Sequence, residues 1–194
     1  MTGLSEAGIK DYATQAVVIL AVTAVMTAFV FIVTFFQPLQ IRFPATGGYF
    51  NFGDIMIFTS AFTFGPIVGA FAGGVGSSLA DVGSGSANFA PFTLVIKGLE
   101  GLVAGYVAQK GIRGREYLAW FLGGAILVVG YFLVVAFLFG LPSALFPELP
   151  GDVIQAVSGG LVGLPVSRAL RARLPPLLKG RSMKSPSKPP KQIA

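Results

Sequence analysis

The chain has 194 residues, of which 54% are apolar and only 11% charged, with a net charge of +6. A soluble domain is nearer a quarter charged, so this composition cannot cover a globule in water and specifies an all-α, polytopic membrane protein instead. His and Cys are both absent, which excludes disulfides, thiol and imidazole catalysis and the usual zinc or haem ligands.

In chain order, residues 1–12 are polar and read as an N-terminal segment in water. Ala13 to Phe36 runs without a charge for about 24 residues, about 36 Å as a helix, enough to span a bilayer. It is too long for a signal-peptide core, and no A-x-A site follows it. Residues 37–54, QPLQIRFPATGGYFNFGD, read as a structured loop. The next apolar stretch is broken at Gly65-Pro66, which predicts two short helices over 53–64 and 66–81. Two crossings and a re-entrant hairpin both fit that pair. Further spans are predicted at 90–109, 117–140 and 152–172, separated by QKGIRGRE and by the Pro-rich loop GLPSALFPELPGD. The chain thus divides into residues 1–12, a six-span helical bundle over 13–172 and a basic disordered tail over 173–194.

With both termini in the cytoplasm, every one of the 14 Lys and Arg residues except Arg42 and Lys97 falls on the cytoplasmic face. The positive-inside rule therefore selects N-in, C-in for a multi-pass protein of the cell (inner) membrane. Basic residues flanking apolar segments are topology and lipid-headgroup charges, so no nucleic acid is expected as a partner.

Four charged residues stand at or within the apolar segments: Asp54, Asp81, Lys97 and Glu100. Charge inside a span is costly, so such groups face a cavity or one another. Lys97 and Glu100 share a helix face at i,i+3, which fits either a packing pair or the wall of a polar pocket open to the outside. Tyr49, Phe50 and Phe89 gather toward the same side, as an interfacial belt or as a stacking wall for a flat heterocycle. Tyr131, Asp152 and Gln155 add hydrogen-bonding groups toward that face. Small residues recur at i,i+4, including Gly69/Gly73, Gly101/Gly105 and Gly159/Gly163, where helix backbones can approach closely. Ala24/Ala28 either packs internally or docks a partner helix. No phosphate-binding loop, catalytic motif or metal-ligand set appears, so the expectation is no enzyme, no catalytic residue, no cofactor and no metal.

The ordered set GYFN-GD, FGP, G-x-G-S-x-L-A-D and KGLEG across 48–101 resembles the substrate-binding membrane subunit (S component) of energy-coupling factor (ECF) vitamin importers, in the riboflavin/hydroxymethylpyrimidine-type branch. The likeness covers about 20–172. It implies a six-helix bundle that captures a vitamin or precursor (riboflavin, hydroxymethylpyrimidine or thiamine-like, pyridoxine-like) from outside. It also implies a membrane scaffold subunit and two ABC-type ATPases as partners. Carried onto this chain, the family pocket falls on Asn51, Asp54, Asp81, Lys97, Glu100 and Gln155, with Tyr49, Phe50 and Phe89 closing over the ligand. The family's small-residue contact with the scaffold falls on Ala21, Ala24 and Ala28. Asp152 stands where an Asn is expected. The alternatives are a standalone channel or facilitator, and a structural membrane protein whose buried charges only support packing.

Overall fold

A computed structural model describes residues 6–109 and 114–174. Six helices build the molecule: α1 Glu6–Phe35, α2 Gly53–Phe64, α3 Pro66–Gly83, α4 Ala90–Ala108, α5 Arg115–Phe139 and α6 Leu149–Arg173. By length and composition, four stretches can each cross a membrane: Tyr12–Phe35, Ala90–Ala108, Arg115–Phe139 and Leu141–Arg173. The bounds of the six predicted helices hold to within a few residues, except that α1 starts earlier than expected, at Glu6. The part of the basic tail from 175 onward lies outside the described residues, as do 110–113 in the connection before α5.

α2 is the inner helix. At 12 residues it is about 18 Å long, well short of a bilayer core of about 30 Å. It packs against α1, α3, α4 and α6, and nine of its residues are buried, among them Asp54, Thr59, Ser60 and Thr63. A helix wrapped by its neighbours presents no side to lipid, which is why it tolerates hydroxyls and a carboxylate. Gly65 reverses the chain from α2 into α3 at φ +102°, a value that L side chains rarely adopt, and Pro66 then starts α3 at its first turn.

Glycines set the seams. A Cβ on Gly69 would lie 2.7 Å from Gly101 O, and one on Gly73 would lie 2.6 Å from Lys97 O, so α3 and α4 meet backbone to backbone. Gly159 and Gly163 let α6 close on the first turns of α2 in the same way, with Asp54 Cβ and Ile55 O as the nearest atoms.

The loop after α1 is more ordered than its composition suggests. A 3-10 turn at Gln37–Leu39 leads into a two-stranded antiparallel hairpin, β1 Ile41–Arg42 and β2 Tyr49–Phe50, with Ile41 opposite Phe50 and Arg42 opposite Tyr49. The segment expected to be a Pro-rich loop before α6 is instead a pair of helical turns, Leu141–Ser143 and Ala144–Glu148, kinked at Phe146. These turns pack on α5 and α6 and bury Ala144 and Glu148.

Candidate functional site

The hairpin closes over one end of the bundle, and polar side chains from five helices converge beneath it. At the start of α2, Asn51 Oδ1 accepts the Gly53 N–H at 2.7 Å, satisfying one of the free donors of that helix end. The Asn51 backbone N–H donates to Gln155 Oε1 at 3.0 Å, which ties the end of the hairpin to α6.

One turn into the bundle lies an ionic triad. The Lys97 ammonium on α4 donates to Asp54 Oδ1 on α2 and lies 3.6 Å from Glu100 Oε2. None of the three is more than 2% exposed. The i,i+3 pair predicted from the sequence is therefore present, but the nearer partner of Lys97 is the cross-helix Asp54. Asp54 Oδ2 and both Glu100 oxygens have no hydrogen-bond donor, so the single ammonium is shared between two carboxyls.

Between this triad and the hairpin is a cavity of about 30 Å³, room for about two waters. Tyr49 and Asn51 line it from the hairpin side, Asp81 from α3, and Phe89 and Thr93 from α4. Tyr131 of α5, Glu148 of the kinked turn, and Asp152 and Gln155 of α6 complete the wall, with Ser86 at the rim. Tyr49 donates its hydroxyl to Asp81 Oδ1 at 2.7 Å. Burial, and then the neighbouring Asp81 carboxylate, push that hydroxyl above its ordinary pKa and keep it a donor. Thr93 Oγ1 and Tyr131 OH are 2.7 Å apart.

The hairpin is held down by a small set of contacts. Arg42 donates to Ser84 O at 2.7 Å, Ser86 donates to Gly47 O at 2.7 Å, and Thr46 donates to Glu148 Oε2 at 3.3 Å. Together with the Tyr49–Asp81 bond, these attach it to the end of α3 and to the turn before α6. Side-chain hydrogen bonds hold the hairpin down together with the packing of its buried Phe43 and Phe50.

Of the residues singled out from sequence, the structure brings Tyr49, Asn51, Asp81, Phe89 and Gln155 to the cavity wall, with Asp54, Lys97 and Glu100 directly below. Phe50 goes elsewhere: it is buried edge-on against Phe52, with ring centroids 5.0 Å apart, and does not line the cavity. Ser86, Thr93 and Glu148 were not foreseen. Thr93 carried a signal, since it stands one turn from both Phe89 and Lys97 on the same face of α4. Glu148 carried almost none, being an acid in what reads as a loop. Ala21, Ala24 and Ala28 are exposed on α1, away from the Met26, Val30 and Thr34 stripe that faces the bundle. A larger groove of about 470 Å³ along α5 and α6, beside Trp120 and Phe121, is almost wholly apolar, a surface suited to lipid tails.

A membrane-embedded helical bundle with a covered polar cavity at one end is the architecture of a small-solute binding subunit, and sequence comparison gives its family. Residues 14–172 match the family model "ECF-type riboflavin transporter, S component". The chain belongs to this family of vitamin-type transporter S components. It is 46% identical over 142 residues to a Pyrococcus woesei protein described only as uncharacterized, from the gap 3′ region; the match covers 73% of this chain and 95% of that one. It is also 32% identical over 106 residues to the thiamine precursor transporter HmpT of Lactococcus lactis subsp. cremoris (strain MG1363), covering 55% of this chain and 60% of that protein.

Proposed function

We propose that this chain is the substrate-specificity subunit of an ATP-driven ECF importer, capturing a small water-soluble vitamin or precursor at the cavity beneath the hairpin. The observation that carries this reading is the covered cavity itself. Its walls mix three aromatic rings that can stack on a heterocycle with carboxyl, hydroxyl and amide groups that can orient it. Asn51, Asp81 and Gln155 supply polar contacts and Tyr49, Phe89 and Tyr131 the aromatic ones. Asp54, Lys97 and Glu100 form a buried charged triad next to the cavity, outside its lining.

A cavity of this volume does not hold a vitamin with the cover shut, so loading requires the hairpin to lift. Such a motion breaks a few hydrogen bonds and the packing of Phe43 and Phe50. The charge distribution supports both termini in the cytoplasm and the hairpin outside, at the cell membrane. The chain has no phosphate-binding loop, so ATP hydrolysis falls to two ABC-type ATPases, reached through a membrane scaffold subunit. The exposed Ala21, Ala24 and Ala28 face of α1 suits that docking, because small side chains allow close backbone approach.

Native mass spectrometry and calorimetry on the purified chain test the capture step. A flat vitamin-type heterocycle should bind more tightly than about 1 μM. Solute flux through liposomes containing this chain alone, without ATPases, would instead establish a facilitator.

A further inference from the structure

Five of the chain's eight acidic residues, Asp54, Asp81, Glu100, Glu148 and Asp152, are buried at the hairpin end of the bundle. Among the described residues one buried ammonium, Lys97, stands against them, and it is already engaged by Asp54 and Glu100. The three carboxyls left over, Asp81, Glu148 and Asp152, are the three that line the cavity, and among the described residues no Lys or Arg lines it with them.

Their hydrogen bonding is incomplete on the cavity side. Asp81 Oδ1 accepts from Tyr49, while Asp81 Oδ2 is buried without a donor. Asp152 Oδ2 is also buried without a donor, and Glu148 receives only the long bond from Thr46. The residues carrying the two orphaned oxygens are each 6% exposed. An ionised carboxylate only accepts hydrogen bonds, and burying it unpaired is costly. A neutral ligand rich in carbonyl acceptors can meet these walls only while their carboxyls stay protonated. A ligand bringing positive charge and N–H donors completes them.

A divalent metal does not fit as that charge, since among the described residues no three acidic side chains converge in a metal-ligating arrangement. The aromatic walls, Tyr49, Phe89 and Tyr131, suit a flat organic ion.

Resting on the capture function proposed above, we propose that the ligand is a positively charged nitrogen heterocycle, its charge permanent or gained by protonation against the carboxylates, held by Asp81 and Asp152 with Glu148 beside them. The site thereby selects against neutral, carbonyl-rich flavins.

Calorimetry on the full chain in lipid nanodiscs tests this with three probes: thiamine as a permanent cation, hydroxymethylpyrimidine as a protonatable aminopyrimidine, and riboflavin as a neutral flavin. The tighter binder of the first two should exceed riboflavin by roughly a hundredfold, the effect expected of a buried charge pair. Asp152→Asn and, separately, Asp81→Asn should cut that affinity roughly tenfold or more while leaving riboflavin binding equal or improved, a change of preference that a folding defect does not produce. Both variants preserve side-chain shape, and the size-exclusion profile of each confirms folding. Riboflavin binding as tightly as both other probes, or an unchanged preference in both Asn variants, overturns the inference but leaves vitamin capture standing. Binding of none of the three tighter than about 1 μM overturns capture, and this inference with it.

Discussion

Lys97 and Arg168 both join carboxylates across a helix interface, but at opposite ends of the bundle and under different physics. At the hairpin end, Lys97, Asp54 and Glu100 are sealed from solvent. At the other end, Glu116 at the start of α5 accepts from Arg168 at 2.7 and 2.9 Å and from Arg171 at 3.2 Å, with the Arg168 side chain half exposed. The first cluster has no water to fall back on if one member is lost. In the second, water can replace any partner. Charge at the hairpin end is therefore placed by the fold at a cost, as expected of a site. Charge at the other end is an ordinary surface feature.

The sharpest way to break this contrast is Lys97→Met. It leaves Asp54 and Glu100 buried without a cation, and the expected loss of stability is about 3–5 kcal/mol in an unfolding titration in detergent. Lys97→Met combined with Asp54→Asn should recover a good part of that loss, because the second change removes an uncompensated charge. Equal cost for the single and the double variant would show that the unpaired Asp54 carboxylate is not what makes the loss of Lys97 costly.

A middling effect is expected at the α3–α4 seam that positions Lys97. In Gly73→Ala the new methyl meets Lys97 O at 2.6 Å, and separating two backbones should cost about 1–3 kcal/mol. Gly98→Ala, on the same seam, places its methyl 3.7 Å from Ala70 O and should be neutral or slightly stabilising. Vitamin binding should weaken in the first variant and persist in the second.

The helices were legible because lipid enforces long uncharged runs, and Gly65-Pro66 marks a break that no other feature blurs. The burial of α2 was not legible. Its Thr59, Ser60 and Thr63 read as ordinary members of a span, and only the packing of four neighbours around it shows why they are tolerated. The site was half legible. A charge inside an apolar run announces itself, so Asp54, Lys97 and Glu100 stood out. Cross-helix partners do not announce themselves: spacing ties Lys97 to Glu100, whereas the bond to Asp54 depends on how α2 docks on α4. Glu148 was hidden for another reason. Pro residues on both sides suggested an exposed loop, but the chain curls into helical turns and turns that carboxyl inward.

The smallest expected effect lies at the exposed cluster, and it is the most direct check on the contrast. Glu116→Gln removes the charge that Arg168 and Arg171 share, yet the guanidinium groups remain hydrated and face no low-dielectric surroundings. Unfolding should shift by no more than the scatter among replicate titrations, and vitamin affinity should not change. Whatever shift does occur should vanish as salt is raised, since an exposed ion pair is screened over about a Debye length. The loss at Lys97 should be nearly indifferent to salt, because ions do not reach it. A Glu116→Gln penalty as large as that of Gly73→Ala would mean that the link between α5 and α6 at this end bears load like the buried triad, and the difference between the two ends would then not be one of solvent exposure.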